Sequence, residues 1–283
     1  MQKVKLAAVS FSPYLGDFEK NLQSHRSLAE HLAPKVDFLF FPELSLCGYL
    51  LENLAHECGK TLKELELYFA SFPPQITVFA GFVLYENGHF YNAYAGFSQG
   101  KPLFVHRKIY LPTYGMFDEA RYFSFGQSLD YFLFHSQERA GVLICEDAWH
   151  LPLPYAHFLA GVSLVVVPSA SPMRGVQDER EINIERWKGR LLCYSESLNQ
   201  FYLYVNRAGI DDGVLFPGEV FLVSPLRGLI PALEEGEFEK NRYKLFLLDF
   251  EERQASAAKG GPWQNDCFSL NKALLEKSHH ARF

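Results

Sequence analysis

The stretch Gly141-Val-Leu-Ile-Cys-Glu-Asp-Ala-Trp-His150 is an apolar run that ends abruptly in a cysteine, and two carboxylates follow at once. The run predicts a buried strand. In α/β folds, the C-terminal ends of strands are where functional groups usually gather. A structural cysteine normally lies inside an apolar run, so the position of Cys145 favours a reactive thiol.

Two other apolar runs end in a charged residue in the same way. Phe38-Leu-Phe-Phe-Pro precedes Glu43, and His106-Arg precedes Lys108 in a segment that continues to Pro112. Hydrolysis of an amide by a thiol needs a nucleophile, a base and a group that stabilises an oxyanion. A cysteine, a glutamate and a lysine at three strand ends could supply all three.

The order Glu43, Lys108, Cys145, with these local contexts, resembles the nitrilase (carbon–nitrogen hydrolase) superfamily. The matching motifs are Phe-Pro-Glu-Leu, Arg-Lys-x-Tyr-Leu-Pro and Ile-Cys-Glu-Asp. The resemblance extends over roughly residues 3–250.

Further motifs point to one branch of this superfamily. Cys-Glu-Asp-x-Trp, the Leu-Cys-Gly before Tyr49, the Tyr-Leu-Pro-Thr before Tyr114, Pro168-Ser-Ala-Ser-Pro172 and Tyr204-Val-Asn-Arg207 are similar to the glutaminase domain of glutamine-dependent NAD synthetase. The resemblance implies this domain without the ATP-using synthetase domain that follows it in that enzyme.

Composition narrows the class of protein. A chain of 283 residues, 48% hydrophobic, can bury one large α/β core. A net charge of −6 without a basic stripe argues against binding of nucleic acid. The apolar runs are too short to cross a membrane. Five cysteines without framework spacing favour a reducing, cytoplasmic compartment, and no zinc-binding pattern or other cofactor site is expected.

Hydrophobic periodicity predicts alternating strands and helices. Helices are predicted at Asp17–Leu32 with Asp17 as the N-cap, Leu62–Phe72, Leu153–Gly161 and Gln177–Asn199. Strands are predicted at Lys5–Phe11, Val36–Phe41, Ile76–Tyr85, Phe90–Phe97, Leu129–Phe134, Gly141–Ile144, Ser163–Val167, Phe201–Asn206, Glu219–Val223 and Lys244–Phe250. Tyr110–Ser128 shows no periodicity.

Periodicity alone gives an α/β fold with hairpins, whereas the resemblance implies a four-layer α-β-β-α sandwich. Residues 1–250 are expected to form the carbon–nitrogen hydrolase domain. Residues 251–283 are expected to be a linker and tail, flexible over Glu251–Gln264, with Cys267–Leu275 docking on a partner subunit. The chain is expected to form a homodimer or a larger assembly, with the Gln177–Asn199 helix, whose apolar residues include Trp187 and Leu191, at or near the interface.

The catalytic roles follow from the resemblance. Cys145 is the expected nucleophile and Glu43, shielded behind its apolar strand, the expected base. Lys108 is expected to donate to the oxyanion and to favour ionisation of the thiol. A second glutamate that orients the lysine matches Glu119, and Asp118 is the competing choice.

The resemblance also implies a set of substrate-binding residues. Glu146 would contact a substrate ammonium, and its backbone N–H is a second candidate oxyanion donor. A cation for the substrate carboxylate is expected at Arg174 or at Arg180. The remaining pocket residues implied by the family are Tyr49, Tyr114, Ser169 and Ser171. Glu146 could instead bridge to a neighbouring side chain, and the tyrosines could be ordinary core aromatics.

These observations predict a thiol-dependent hydrolase of a small amide that is glutamine-like or another short amide, and that releases ammonia. A nitrile substrate is disfavoured because Glu146 stands where nitrile-cleaving members carry tryptophan. An N-carbamoyl amidohydrolase is the nearest alternative. An ammonia-supplying subunit of a separate synthetase and an inactive binding protein are the alternatives from other classes.

Overall fold

The structure, a computed structural model, describes residues 3–135, 138–173 and 177–259. The strands are β1 (Lys3–Ser10), β2 (Phe38–Phe40), β3 (Thr77–Glu86), β4 (His89–Ser98), β5 (Lys101–Arg107), β6 (Tyr131–His135), β7 (Glu138–Val142), β8 (Val162–Ser169), β9 (Phe201–Asn206), β10 (Ala208–Asp211), β11 (Val214–Pro217), β12 (Val220–Ser224), β13 (Gly228–Ile230), β14 (Glu234–Phe238) and β15 (Asn241–Asp249). The helices are α1 (Phe18–Leu32), α2 (Ala55–Cys58), α3 (Leu62–Phe69), α4 (Glu119–Tyr122), α5 (Pro152–Leu159), α6 (Gln177–Leu198) and α7 (Glu251–Ala258), with 3₁₀ turns at Glu52–Leu54 and Cys145–Trp149.

Over the described residues, most strands belong to two large sheets. The first sheet has the order β14-β15-β1-β2-β3-β4-β5, and the second has the order β13-β12-β9-β8-β7-β6. In the first, β1, β2 and β3 run parallel. In the second, β7, β8 and β9 run parallel. The C-terminal ends of the parallel strands therefore meet at one edge of each sheet.

The two sheets pack face to face and a helical layer covers each outer face. In β8, Leu164 and Val166 point into the core between the sheets, where they meet residues such as Leu6 of β1. Val165 and Val167, which alternate with them along the strand, point to the opposite face, towards Trp187 of α6. Helices α1 and α3 cover the outer face of the first sheet in the same way. The four-layer α-β-β-α sandwich is thus confirmed.

Helix α1 has the N-cap and the buried apolar face that the sequence predicts. Asp17 accepts a hydrogen bond from the Lys20 N–H at 3.1 Å, which satisfies a backbone donor at the start of the helix. Leu28 and Leu32 lie on the face that packs on the sheet. Burying each such leucine contributes about 1.5–3 kcal/mol.

The apolar face of α6 differs from the prediction. Trp187 and Leu191 are 1% and 0% exposed because they pack on the second sheet of the same chain. These two residues therefore need no partner subunit to cover them, so their apolar side chains do not indicate an interface. The oligomeric state itself stays a prediction.

The prediction of a flexible linker is wrong over its first part. Residues 251–258 form α7, in which Arg253 Nε donates to the Asn199 carbonyl at 2.8 Å and Glu252 accepts from the Ser224 hydroxyl at 2.5 Å. The segment Glu-Glu-Arg-Gln-Ala-Ser-Ala-Ala contains mostly good helix formers, and these outweigh the Gly-Gly-Pro that follows. The rest of the predicted linker and tail, including Cys267–Leu275, lies outside the described residues.

Candidate active site

Glu43 follows the end of β2 and is buried. Its Oε1 accepts from Lys108 Nζ at 2.7 Å and from Asn92 Nδ2 at 2.8 Å, and its Oε2 accepts from the Ala170 N–H at 2.7 Å. The loop that carries Glu43 crosses β3 at Gly81, where an added Cβ would lie 2.3 Å from the Leu44 nitrogen. A residue without a side chain is therefore required for the carboxylate to reach this position.

Lys108 lies just past β5 and is 1% exposed. Its ammonium donates to Glu43 Oε1 and to Glu119 Oε1, at 2.7 and 2.6 Å. Burial disfavours the charged ammonium, but the charges of Glu119 and Glu43 outweigh it and hold the pKa of Lys108 well above its usual value. Lys108 is therefore a fixed positive charge.

Glu119 begins α4 and closes this cluster of charges. Its Oε1 accepts from the Tyr49 hydroxyl at 2.5 Å and its Oε2 from Asn92 Nδ2 at 3.4 Å. Burial, with the nearby charge of Glu43, raises the pKa of Glu119 to about 7, although Lys108 acts in the opposite direction. The structure thus brings Glu119 to the lysine, while Asp118, the competing choice, forms an exposed pair with Arg121.

Cys145 begins the 3₁₀ turn at the edge of the second sheet, and its side chain is partly open to a cavity. Its φ of 45° lies in the left-handed region, which a residue with a side chain adopts at a cost. Loss of solvation and the charge of Glu43 raise the pKa of the Cys145 thiol well above its usual value, against a smaller opposite effect of Lys108. Lys108 favours ionisation of the thiol, as predicted, but burial and the charge of Glu43 outweigh it. Attack by this thiol therefore needs a base that accepts its proton.

A cavity of about 440 Å³ opens at Cys145. Its lining includes three of the predicted substrate-binding residues, Tyr114, Glu146 and Ser171, together with Phe117, Trp149, Pro172, Ile182, Asn183, Arg186 and Trp187. The volume suits a ligand of small-molecule size.

Glu146 is held in place by two neighbours. The Tyr114 hydroxyl donates to its Oε2 at 2.8 Å, and His150 Nε2 lies 3.3 Å from its Oε1. The ring of His150 stacks on Tyr110 with centroids 3.5 Å apart. The alternative that Glu146 pairs with a neighbour therefore describes part of its environment, but the carboxylate also lines the cavity.

Of the remaining predicted pocket residues, Tyr49 and Ser169 do not line this cavity, whereas Ser171 does. Tyr49 is buried, and its hydroxyl donates to Glu119. Ser169 is buried, with its hydroxyl 3.5 Å from the Val167 carbonyl. Ser171 accepts from Asn183 and from Trp187 Nε1, at 3.2 and 3.1 Å. Arg174 and the side chain of Arg180 lie outside the described residues.

Sequence reasoning missed three residues at this site. Asn92 donates to both Glu43 and Glu119, and an asparagine inside the apolar strand pattern of β4 was the signal for it. Arg186 lines the cavity with Asn183, three residues earlier on the same helical face, so helical spacing could have found it. Asp147, two residues after the cysteine, is fully buried.

The described residues form neither a metal-binding cluster nor a membrane-spanning helix. Over the described ranges, no cluster of three or more His, Cys, Asp and Glu side chains could hold a metal ion. The described helices include none with the length and hydropathy needed to cross a membrane.

Comparison with known proteins identifies the family. The family model described as Carbon-nitrogen hydrolase matches residues 5–240, which is most of the chain and contains every residue of the charge cluster. The chain belongs to the carbon–nitrogen hydrolase family. Members of this family hydrolyse bonds between carbon and nitrogen.

Relatives of this hydrolase include larger enzymes. It is 31% identical over 227 residues to the glutamine-dependent NAD(+) synthetase of Acinetobacter baylyi, covering 79% of this chain and 41% of the relative. The glutamine-dependent NAD(+) synthetase of Aquifex aeolicus is 29% identical over 286 residues, covering 98% of this chain and 48% of that relative. The chain therefore spans less than half the length of these relatives.

Solved structures agree with the fold. The glutamine-dependent NAD+ synthetase of Acinetobacter baumannii, solved with adenosine diphosphate, superposes with a TM-score of 0.77 at 29% identity, covering 89% of this hydrolase and 46% of that chain. A carbon-nitrogen hydrolase from Helicobacter pylori gives a TM-score of 0.84 at 18% identity, covering 97% of this hydrolase and 98% of that chain. At that identity the second match supports the fold alone.

Proposed function

We propose that this hydrolase cleaves the amide bond of a small molecule through a thioester on Cys145 and releases ammonia. The observation that carries the proposal is the pair of contacts from Lys108 to Glu43 and Glu119, buried beside a cysteine that opens into a cavity. A fixed base and a fixed cation next to a protonated thiol are the groups that acyl transfer needs.

In the first half of the reaction, Glu43 takes the thiol proton as the sulfur attacks the amide carbonyl carbon. The carbonyl π electrons move to oxygen, and Lys108 donates a hydrogen bond to this oxyanion. The backbone N–H of Glu146 is proposed as a second donor. Glu43 then gives its proton to the departing nitrogen, so the carbon–nitrogen bond breaks and ammonia leaves behind a thioester.

In the second half, water replaces ammonia. Glu43 removes a proton from the water as its oxygen attacks the thioester carbonyl, and Lys108 again stabilises the oxyanion. The carbon–sulfur bond breaks, the thiolate recovers the proton from Glu43, and the carboxylic acid product departs. Asn92 and the Ala170 N–H support this cycle because they hold both oxygens of Glu43 in place.

For the substrate we propose an amide that carries an α-amino acid head group, with glutamine as the leading candidate. Glu146 and Arg186 both line the cavity, and they offer a carboxylate for an ammonium and a guanidinium for a carboxylate. Relatives named glutamine-dependent NAD(+) synthetase support this choice. They also support the proposal that the ammonia is supplied to a synthetase, as a separate subunit or otherwise.

A substrate panel tests the proposed function. Ammonia release from glutamine, butyramide, an N-carbamoyl amino acid and a nitrile of matched size is measured under identical conditions. Release from glutamine at a higher kcat/KM than from butyramide is the expected result. Preference for the N-carbamoyl compound, with no turnover of glutamine, would replace the proposal by an N-carbamoyl amidohydrolase.

A further inference from the structure

Asp147 accepts hydrogen bonds from two separate segments of the chain. Its Oδ1 accepts from the N–H groups of Ile109 and Tyr110, at 3.0 and 2.8 Å. Its Oδ2 accepts from the Ile144 N–H at 3.1 Å and lies 3.2 Å from His106 Nε2. Asp147 and His106 are both 0% exposed, so these contacts form in a dry environment where hydrogen bonds to a charge are strong.

The two segments carry two of the catalytic groups. Ile109 directly follows Lys108 at the end of β5 in the first sheet, and Ile144 directly precedes Cys145 in the second. A single carboxylate therefore links the backbone next to the proposed oxyanion donor with the backbone next to the proposed nucleophile.

The same carboxylate supports the unusual backbone at the nucleophile. Cys145 has a positive φ, and it lies between Ile144 and Asp147, which are joined in both directions because the Asp147 N–H also donates to the Ile144 carbonyl at 3.0 Å. A strained residue keeps its conformation when the surrounding contacts determine it. The contacts of Asp147 with Ile144 provide this support on both sides of the cysteine.

We infer that Asp147 is a positioning residue that aligns Lys108 with Cys145 across the two sheets. The inference rests on the proposed amidase reaction. It adds that the alignment of the oxyanion donor with the nucleophile depends on this carboxylate and, through one further contact, on His106.

The variant Asp147→Asn tests this role with almost no change in shape. Asparagine has one oxygen and one NH₂ group, so in either orientation the NH₂ meets a backbone N–H instead of accepting from it. Because a misplacement of about 1 Å can cost about 100-fold in rate, we expect kcat on the preferred amide to fall about 100-fold while KM changes less than about 3-fold.

Glu252→Gln is the matched control. Glu252 is a buried carboxylate that accepts from Ser224, near the opposite end of the second sheet from Ser169. The Glu252→Gln variant is expected to have a lower melting temperature but a kcat within about 2-fold of the wild type. If Asp147→Asn likewise lowers only the melting temperature and keeps kcat, Asp147 is structural and the inference is wrong.

His106→Gln keeps the test available if Asp147→Asn does not fold. It removes one partner of Asp147 and leaves the three backbone donors in place, so a smaller loss of about 5-fold in kcat is expected. An unchanged kcat in a folded His106→Gln protein would contradict the part of the inference that includes His106. If Asp147→Asn does not fold, the kcat of His106→Gln decides the inference as a whole.

A labelling experiment separates this inference from the proposed function. Rates of Cys145 modification are measured with iodoacetamide, which carries an amide, and with methyl methanethiosulfonate, which does not. The exposed Cys193 serves as an internal reference. Alignment by Asp147 predicts that the iodoacetamide-to-thiosulfonate ratio at Cys145 falls about 10-fold in Asp147→Asn, with no change at Cys193.

The outcomes are distinct. A ratio at Cys145 that stays within about 2-fold of the wild type would overturn the inference even if ammonia release is observed. A wild-type protein that releases ammonia from no amide would overturn the proposed function, yet a lowered ratio in Asp147→Asn would still support alignment of Lys108 and Cys145 by Asp147.

Discussion

The seven-stranded sheet and the six-stranded sheet contribute different parts of the active site. The first carries the fixed charges, Glu43 and Lys108, in a buried cluster whose members hold one another by hydrogen bonds. The second carries Cys145 and Glu146 at the wall of an open cavity. Under the proposed function, acid–base chemistry and substrate contact therefore belong to different layers of the sandwich.

This difference has a consequence for variants. A change in the first sheet should impair turnover of every substrate, because the charges act on the reacting atoms. A change in the cavity wall of the second sheet should separate substrates from one another. Cys145 is the exception, because it lies at the edge of the second sheet but is the proposed nucleophile.

The largest expected effect is at Cys145. Replacing it in Cys145→Ala removes the group that forms the thioester, and loss of a nucleophile in comparable enzymes costs roughly 10⁶-fold in kcat. We expect ammonia release to fall to background. Cys193→Ala, which changes an exposed cysteine, is the control and should retain full activity. Appreciable turnover by Cys145→Ala would exclude the thioester mechanism.

Lys108→Met is expected to have the next largest effect. It keeps the length of the side chain and removes the oxyanion donor, so kcat should fall roughly 10²–10³-fold while substrate affinity changes little. Steady-state kinetics on two unrelated amides checks the result. Lys101→Met, which alters an exposed lysine at the start of β5, is the control. A near-normal kcat for Lys108→Met would contradict the proposal that Lys108 stabilises the oxyanion.

Variants of the cavity wall should act selectively. Loss of one charge-assisted hydrogen bond costs about 1.5–3 kcal/mol, roughly 10- to 150-fold in kcat/KM. Glu146→Gln and Arg186→Gln should each lose that much on glutamine and little on butyramide, which lacks both charged groups. Equal losses on both amides would mean that these side chains support the catalytic loop and do not select the substrate.

The last expected effect concerns stability instead of turnover. Burial raises the pKa of Glu119 to about 7, so the folded protein binds this proton more tightly than the unfolded chain does. The stability gained in this way is present at low pH and is lost as the pH rises through about 7. The free energy of unfolding of the wild type, relative to Glu119→Gln, should therefore decrease from pH 5 to pH 8.

Urea unfolding of both proteins across this range measures the difference. Glu64 is a useful control because hydrogen bonds from Thr61 lower the pKa of this exposed carboxylate. The stability of the wild type relative to Glu64→Gln should change in the opposite direction, falling at acidic pH. A difference for Glu119→Gln that does not vary with pH would show that Glu119 does not titrate near neutrality in the folded protein.

Sequence patterns predicted the long elements and the charge cluster well. Strands buried on both faces, such as β8, give continuous apolar runs, and the helix at Phe18–Leu32 has both a capping residue and an apolar stripe. The motifs around Glu43, Lys108 and Cys145 placed these residues at strand ends because each motif is local.

The features that were missed depend on contacts between distant segments. The strands β10, β11, β13 and β14 are three to five residues long, too short for a clear period. The hydrogen bonds of Tyr49 to Glu119 and of Asp147 to Ile109 link residues 70 and 38 positions apart. No local pattern encodes such pairs, so the contacts of Tyr49 and of Asp147 could only be found in the structure.

Acid-quenched intact-protein mass spectrometry during turnover tests the central claim most directly. The account predicts a wild-type species heavier by the substrate mass less ammonia, with the adduct on the peptide that contains Cys145, and no such species in Glu43→Gln, which lacks the base of the other sheet. An adduct on another residue, or acylation of Glu43→Gln at the wild-type rate, would contradict the claim that the base on the first sheet activates the nucleophile on the second.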